Sequence, residues 1–230
     1  EEAVRDFTLG PIFTPPLRTV EGETQGVIQR PAIDGGANWG GAGVDPETGI
    51  LYVPSQNRSS VLHFYTPDES TGGTMTITQA AFGSGRQPAL RQGLPLFKPP
   101  YSRMTAVDLN AGENAWMQPN GDGNRLRNHP MLRDLDLPPL GGDGRGGPVV
   151  TKTLLVSALT AGGTDDGPRL VARDKTTGVI VGSIDLPSGA IGTPMTYMVD
   201  GRQYIALTVG GGPRLVAFAL PASAEASAGQ

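Results

Sequence analysis

Apolar and polar positions alternate along this chain in short runs, and clusters of Gly, Pro, Asp and Asn separate one run from the next. The runs are GILYVPS (Gly49–Ser55), SVLHFYT (Ser60–Thr66), TMTITQA (Thr74–Ala80), RMTAVDL (Arg103–Leu109), GPVVTKTLLVSAL (Gly147–Leu159), RLVARD (Arg169–Asp174), VIVGSIDL (Val179–Leu186), TPMTYMV (Thr193–Val199), RQYIALTV (Arg202–Val209) and RLVAFAL (Arg214–Leu220). A period of two bounded by turn residues predicts strands, and little of the chain carries the 3.6-residue period of an amphipathic helix. The expectation is an all-β protein of ten short strands. Asp200-Gly201, between two such runs, predicts a hairpin turn.

A repeat is visible within this pattern. Ala106-Val-Asp108 through Gly112 and Ala172-Arg-Asp174 through Gly178 share the spacing A-x-D-x-x-x-G, and Asp45-Pro-Glu-Thr-Gly49 is a partial third copy. The Asp side chain can close an Asx-turn and the Gly can take the positive φ of a hairpin, so each copy is expected to join strands of a twisted sheet. Trp116 stands four residues past Gly112. There its ring can leave the sheet, pack on the next sheet and give its indole N–H to a backbone carbonyl. The second copy has Gly182 at the corresponding place, so that contact is expected only once.

The strings GGANWGGAGVDPETGILYVPSQN (Gly35–Asn57) and GTPMTYMVDGRQYIALTVGGGPRLVAFALP (Gly192–Pro221), together with the tryptophan-docking repeat, resemble the C-terminal part of the pyrroloquinoline quinone (PQQ) dependent dehydrogenases, most closely the membrane-bound quinoprotein glucose dehydrogenase type. The resemblance implies a partial β-propeller, the C-terminal blades of an eight-bladed ring. Propellers close with about 4–8 blades of four strands, so ten strands supply only an arc. The expected organisation is an approach segment over 1–34, containing RDFTLGPIFTPPLRT, then about three blades over 35–221 with excursions at 68–101 and 119–146, and a small, polar tail over 222–230, expected to be disordered. An arc alone would expose blade faces, which implies the rest of the propeller or a complementary chain as partner.

Composition narrows the chemistry. With 18 basic against 22 acidic residues, a net charge of -4 and no basic run, the chain has no electrostatic footprint for nucleic acid. Cysteine is absent, which excludes disulfides, thiolate metal sites and a cysteine nucleophile. His63 and His129 are far apart without carboxylates at ligand spacing, so no metal site is expected from this chain, and His129 is expected in a loop. No apolar run reaches the ~18 residues of a membrane span, and EEAVRDF is too polar for a signal peptide.

Several glycine- and acid-rich segments invite chemical readings that fail on context. GGDGRGG (Gly141–Gly147) contains G-x-G-x-x-G but precedes a proline and a β-run, not a helix, so it is no dinucleotide fingerprint. In the alcohol-oxidising quinoproteins of the family that this chain resembles, a Trp precedes the equivalent Gly-Gly where this chain has Arg145, which reads as a surface loop arginine or a cofactor contact. Asn120-Gly-Asp122-Gly-Asn124 opens like a calcium loop, but position twelve is Met131, so a plain turn is expected. Asp165-Asp166-Gly167 likewise reads as a hairpin turn.

By resemblance, the candidate cofactor-binding residues are Asn38 and Trp39. A planar quinone with three carboxylates needs a flat surface and amide donors, and the flanking glycines permit close backbone approach. The alternative is that Trp39 packs between blades and Asn38 serves only a turn. The resemblance further implies PQQ and calcium as cofactors, with the catalytic aspartate and the calcium ligands outside this chain, a sugar or polyol substrate, ubiquinone as electron acceptor, and a periplasmic location or the periplasmic face of the inner membrane. No residue of this chain is assigned a catalytic role. The competing expectation is a non-catalytic propeller that scaffolds protein assembly.

Overall fold

In the computed structural model the described residues are 2–19, 23–33, 35–65, 77–80, 89–90, 92–142, 146–159 and 167–219. They divide into two compact units, one of residues 1–36 and 56–101, the other of residues 37–55 and 102–230. The all-β expectation holds: among the described residues there are fifteen strands, a single-turn α-helix and a short 3-10 turn.

The first unit is organised around β5 (Ser60–Tyr65). Strand β2 (Val27–Gln29) pairs with it antiparallel, β1 (Leu17–Arg18) pairs parallel at His63 and Phe64, and β6 (Ile77–Ala80) pairs antiparallel. Val27, Ala32 and Val61 form its buried apolar positions, and the Arg30 guanidinium lies 4.6 Å from the centre of the Phe97 ring.

The second unit holds three consecutive sheets. The first has the order β3 (Gly43–Asp45), β4 (Ile50–Gln56), β7 (Ser102–Asp108) and β8 (Glu113–Pro119). The second is a meander of β9 (Val149–Val150), β10 (Leu154–Leu159), β11 (Arg169–Asp174) and β12 (Ile180–Asp185). The third contains β13 (Met195–Val199), β14 (Arg202–Val209) and β15 (Arg214–Ala219). Each sheet buries its apolar side chains against the next. Tyr52, Met104 and Ala106 of the first pack on Leu155 of the second, and Val156, Ala158 and Leu170 of the second pack on Leu207 and Val209 of the third.

The repeated turns form as their residues dictate. Asp45, Asp108 and Asp174 each accept backbone N–H groups two or three residues ahead through Oδ1, at 2.8–3.1 Å. Gly49, Gly112 and Gly178 close each turn with φ near +73° and donate to the Asp carbonyl at 2.8–2.9 Å. The first copy joins β3 to β4, whereas the other two join the outer pairs β7–β8 and β11–β12. Those two outer pairs share a bulge at the same motif position, after Ala106 and after Ala172, and the register places Trp116 opposite Ala106 and Gly182 opposite Ala172. Gly182 is therefore the structural counterpart of Trp116.

Four strands lie outside the ten runs expected in this part of the chain and in the first unit: β1, β2, β3 and β8. The single run over 147–159 is two strands, because Thr151 turns the chain: its hydroxyl donates to the Leu154 carbonyl at 3.0 Å and accepts the Leu154 N–H at 3.0 Å. Asp200 and Gly201 form the expected hairpin, both with positive φ. The segment from Asn120 is a turn that leads into the helix α1 (Asn124–Arg127), and His129 sits in the loop beyond it, its Nδ1 accepting the Met131 N–H. Arg145, Asp165, Asp166 and the tail over 222–230 lie outside the described residues.

Candidate functional site

Tryptophan docking is realised once, as its sequence predicts. The Trp116 indole N–H donates to the Lys175 carbonyl at 3.1 Å, across from the first sheet to the second. Its ring covers Gly178 so closely that a Cβ there would lie 2.6 Å from Cε3. Tyr52 flanks the ring, 5.8 Å between centroids, and donates its hydroxyl to the same carbonyl at 3.1 Å. Lys175 also sends Nζ to Asp45 Oδ2 at 2.6 Å, with both side chains largely buried. Hydrogen bonds from Lys175 and then from Thr48 hold the Asp45 carboxyl at a pKa of about 2.

The innermost strands β3, β9 and β13 bring a second set of residues together. The Thr193 hydroxyl donates to the Gly40 carbonyl at 3.1 Å, and a Cβ on Gly147 would stand 2.4 Å from that same oxygen. A Cβ on Gly43 would meet Val150 at 2.7 Å. Glycine at these places is a packing requirement, because three chain segments approach at backbone distance. Beside this meeting point, Asn38 to Gly41 form a turn closed by the Gly41 N–H donating to the Asn38 carbonyl at 3.0 Å, with Gly41 at φ +83°. Asn38 Oδ1 accepts the Trp39 N–H at 2.7 Å. The Trp39 side chain projects outward, 87% exposed.

Of the two candidate cofactor residues, Asn38 thus shapes the turn and Trp39 presents its indole to solvent. Trp39 is not packed between the described sheets of its unit. Gly147 and Thr193 join them, and neither was designated from sequence. The available signal is the Gly-x-Pro that precedes two of the three innermost strands, Gly146-Gly147-Pro148 before β9 and Gly192-Thr193-Pro194 before β13. The exposed Trp39 ring and the unobstructed backbone of Gly41, in one turn, fit a planar ligand. Among the described residues no group of three or more His, Cys, Asp or Glu could hold a metal ion, and no helix is long and apolar enough to cross a membrane.

Three face-packed, mostly four-stranded antiparallel sheets, the first docked on the second through Trp116, define a portion of a β-propeller. Residues 1–205 match the family model described as the PQQ glucose/ethanol/alcohol dehydrogenase β-propeller domain, and the chain belongs to that family of quinoprotein oxidoreductases. It is 30% identical over 225 residues to the glycerol dehydrogenase large subunit of Gluconobacter oxydans, covering 84% of this chain and 30% of that protein. Identity to quinoprotein glucose dehydrogenase A of Acinetobacter calcoaceticus is 27% over 236 residues, covering 91% and 27%. The crystal structure of the quinohemoprotein alcohol dehydrogenase from Comamonas testosteroni superimposes with a TM-score of 0.50 at 25% identity, over 85% of this chain and 27% of that one. The chain therefore spans less than a third of the length of these relatives.

Proposed function

We propose that this chain supplies propeller blades and part of the quinone pocket of a PQQ-dependent dehydrogenase that oxidises a sugar or polyol alcohol and passes electrons to ubiquinone, in the periplasm or on the periplasmic face of the inner membrane. The observation that carries the pocket is the exposed Trp39 indole in the same turn as Gly41, whose backbone faces open space, and as Gly40, whose carbonyl Gly147 approaches at backbone distance. Membership in a dehydrogenase family favours this reading over an assembly scaffold.

Within it, Trp39 offers a flat apolar face, Asn38 offers amide donors to quinone or carboxylate oxygens, and Thr193 holds Gly40 in place. PQQ, when bound, supplies the two-electron oxidant for the alcohol, with calcium as the accompanying cation. The general base and the calcium ligands are assigned to the part of the relatives that this chain does not cover. In organisation, residues 35–221 make about three blades, with 68–101 and 119–146 as excursions and 1–34 as an approach segment.

The test is a fluorescence titration with PQQ in the presence of calcium, on this chain and on the chain extended upstream to the length of its relatives, alongside dye-linked sugar and polyol oxidation. Binding and oxidation by the extended form are expected. Well-folded extended protein that neither binds PQQ nor oxidises these alcohols would return the chain to the scaffold reading. In the extended form Asn38→Ala should weaken PQQ binding by roughly 1–3 kcal/mol, the worth of an amide hydrogen bond to an ionised oxygen.

A further inference from the structure

Arg173 is a cation sealed inside the second unit. It is 2% exposed, on β11, and its hydrogen-bond acceptors are all neutral: Nη1 donates to the Gly178 carbonyl at 2.9 Å, and Nη2 to the Pro119 carbonyl at 3.3 Å and to Asn120 Oδ1 at 3.1 Å. No described carboxylate pairs with it, and burial draws its pKa down to about 10, which leaves it charged at neutral pH. A buried, unpaired cation is costly and is rarely retained without a task. In the first repeat the matching position is Val107, an ordinary apolar strand residue.

What the guanidinium grips explains its place. Asn120 is itself buried, and its carbonyl accepts both the Ser102 hydroxyl at 2.9 Å and the Gly142 N–H at 3.0 Å. Ser102 Oγ accepts the Gly142 N–H as well, at 3.0 Å, and Gly141 donates to the Gly121 carbonyl. At φ +69°, Gly141 lies so close to Ser102 that a Cβ would stand 2.3 Å from the Ser102 carbonyl. Gly141 and Gly142 open the glycine-rich run that Gly147 closes against Gly40. Resting on the cofactor reading above, we infer that Arg173 is a positioning residue for the cofactor turn. It clamps Asn120, Asn120 fixes Gly142 beside Gly141, and Gly147, five residues further along the chain, stands against the Gly40 carbonyl of the turn carrying Asn38 and Trp39.

The test compares Arg173→Met, Arg173→Lys and Trp116→Phe in the chain extended to the length of its relatives, by amide hydrogen exchange at Gly141 and Gly142 without cofactor and by PQQ titration with calcium. Trp116→Phe loosens the same pair of sheets without touching Asn120, so it controls for stability. Arg173→Met is expected to raise exchange at both glycines and the PQQ dissociation constant on the order of tenfold, as loss of an outer-shell support does. Trp116→Phe should leave both unchanged, and Arg173→Lys, which folds with the buried charge retained but cannot span three acceptors, should fall between. Unchanged exchange at Gly141 and Gly142 in both Arg173 variants would overturn the clamp itself. Faster exchange with unchanged PQQ affinity would overturn its role at that turn. A wild-type protein that fails to bind PQQ while the exchange effect appears would overturn the cofactor reading and the positioning role with it.

Discussion

Lys175 shows how much a single residue can carry when a backbone carbonyl and a side chain act in different directions. Its carbonyl uses both lone pairs, on Trp116 and Tyr52, while its ammonium reaches Asp45 across the same sheet interface. Trp116→Phe removes one donor and also the benzo-ring atoms that lie over Gly178, so it should lower stability by at least about 1 kcal/mol, read as a shifted urea midpoint with an unchanged slope. The ion pair sets a pH dependence. A carboxyl at about 2 in the folded protein and near ~3.9 in the unfolded chain contributes stability that is complete above ~pH 4 and is lost as pH falls through about 2. Urea midpoints of wild type and Asp45→Asn measured between pH 5 and pH 2 should converge as pH falls. Parallel curves would show that Lys175 does not set the Asp45 titration.

At the scale of elements, the repeated turns were legible because their residues carry their own geometry. An Asp that closes on the next amides and a Gly at positive φ need no distant partner. The same turns separate backbone strain from packing. A Cβ at Gly112 meets nothing within 4 Å, so Gly112→Ala costs only its left-handed backbone, about 1–2 kcal/mol. Gly178→Ala carries the same backbone strain and also drives a methyl into the Trp116 ring and the Gln118 side chain, so it should be the more destabilising of the two by urea unfolding. Equal costs would show that the indole is not seated on Gly178 in solution. Strand β8 escaped the pattern for a physical reason: ENAWMQP sets Ala115, Trp116 and Met117 side by side and lies mostly exposed as the outermost strand of its sheet, so no apolar face imposes alternation. Strands β3 and β9 are three and two residues long, too short to show a period. Within the candidate site, Asn38 and Trp39 were legible through a local string. The Arg173–Asn120 clamp was not, because its partners are 53 residues apart and Asn120 reads in sequence as one more turn residue.

At the scale of the molecule, the third sheet of the second unit decides what the chain needs around it. One face, with Ile205, Leu207 and Val209, packs on the second sheet. The register puts Met195, Tyr197 and Val199 of β13 on the opposite face beside Tyr204 and Ala206, with Leu215 opposite Thr208 across β15. Tyr197 and Tyr204 stack there at 5.2 Å, yet Met195, Val199 and Leu215 remain exposed, Leu215 at 71%. A contiguous apolar face of this kind marks a surface that another element covers, since each buried Å² is worth about 25 cal/mol. In a chain that spans less than a third of its relatives, further blades of the same ring are the covering that the fold suggests. The chain by itself should therefore bind a hydrophobic dye such as ANS and self-associate in analytical ultracentrifugation, and the double substitution Met195→Lys with Leu215→Lys should suppress both while leaving the circular dichroism of the sheets intact. Extension upstream to the relatives' length should remove dye binding without any substitution. A chain that sediments as a monomer and binds no dye would show that this face is already satisfied, and that three sheets can stand without the rest of a ring.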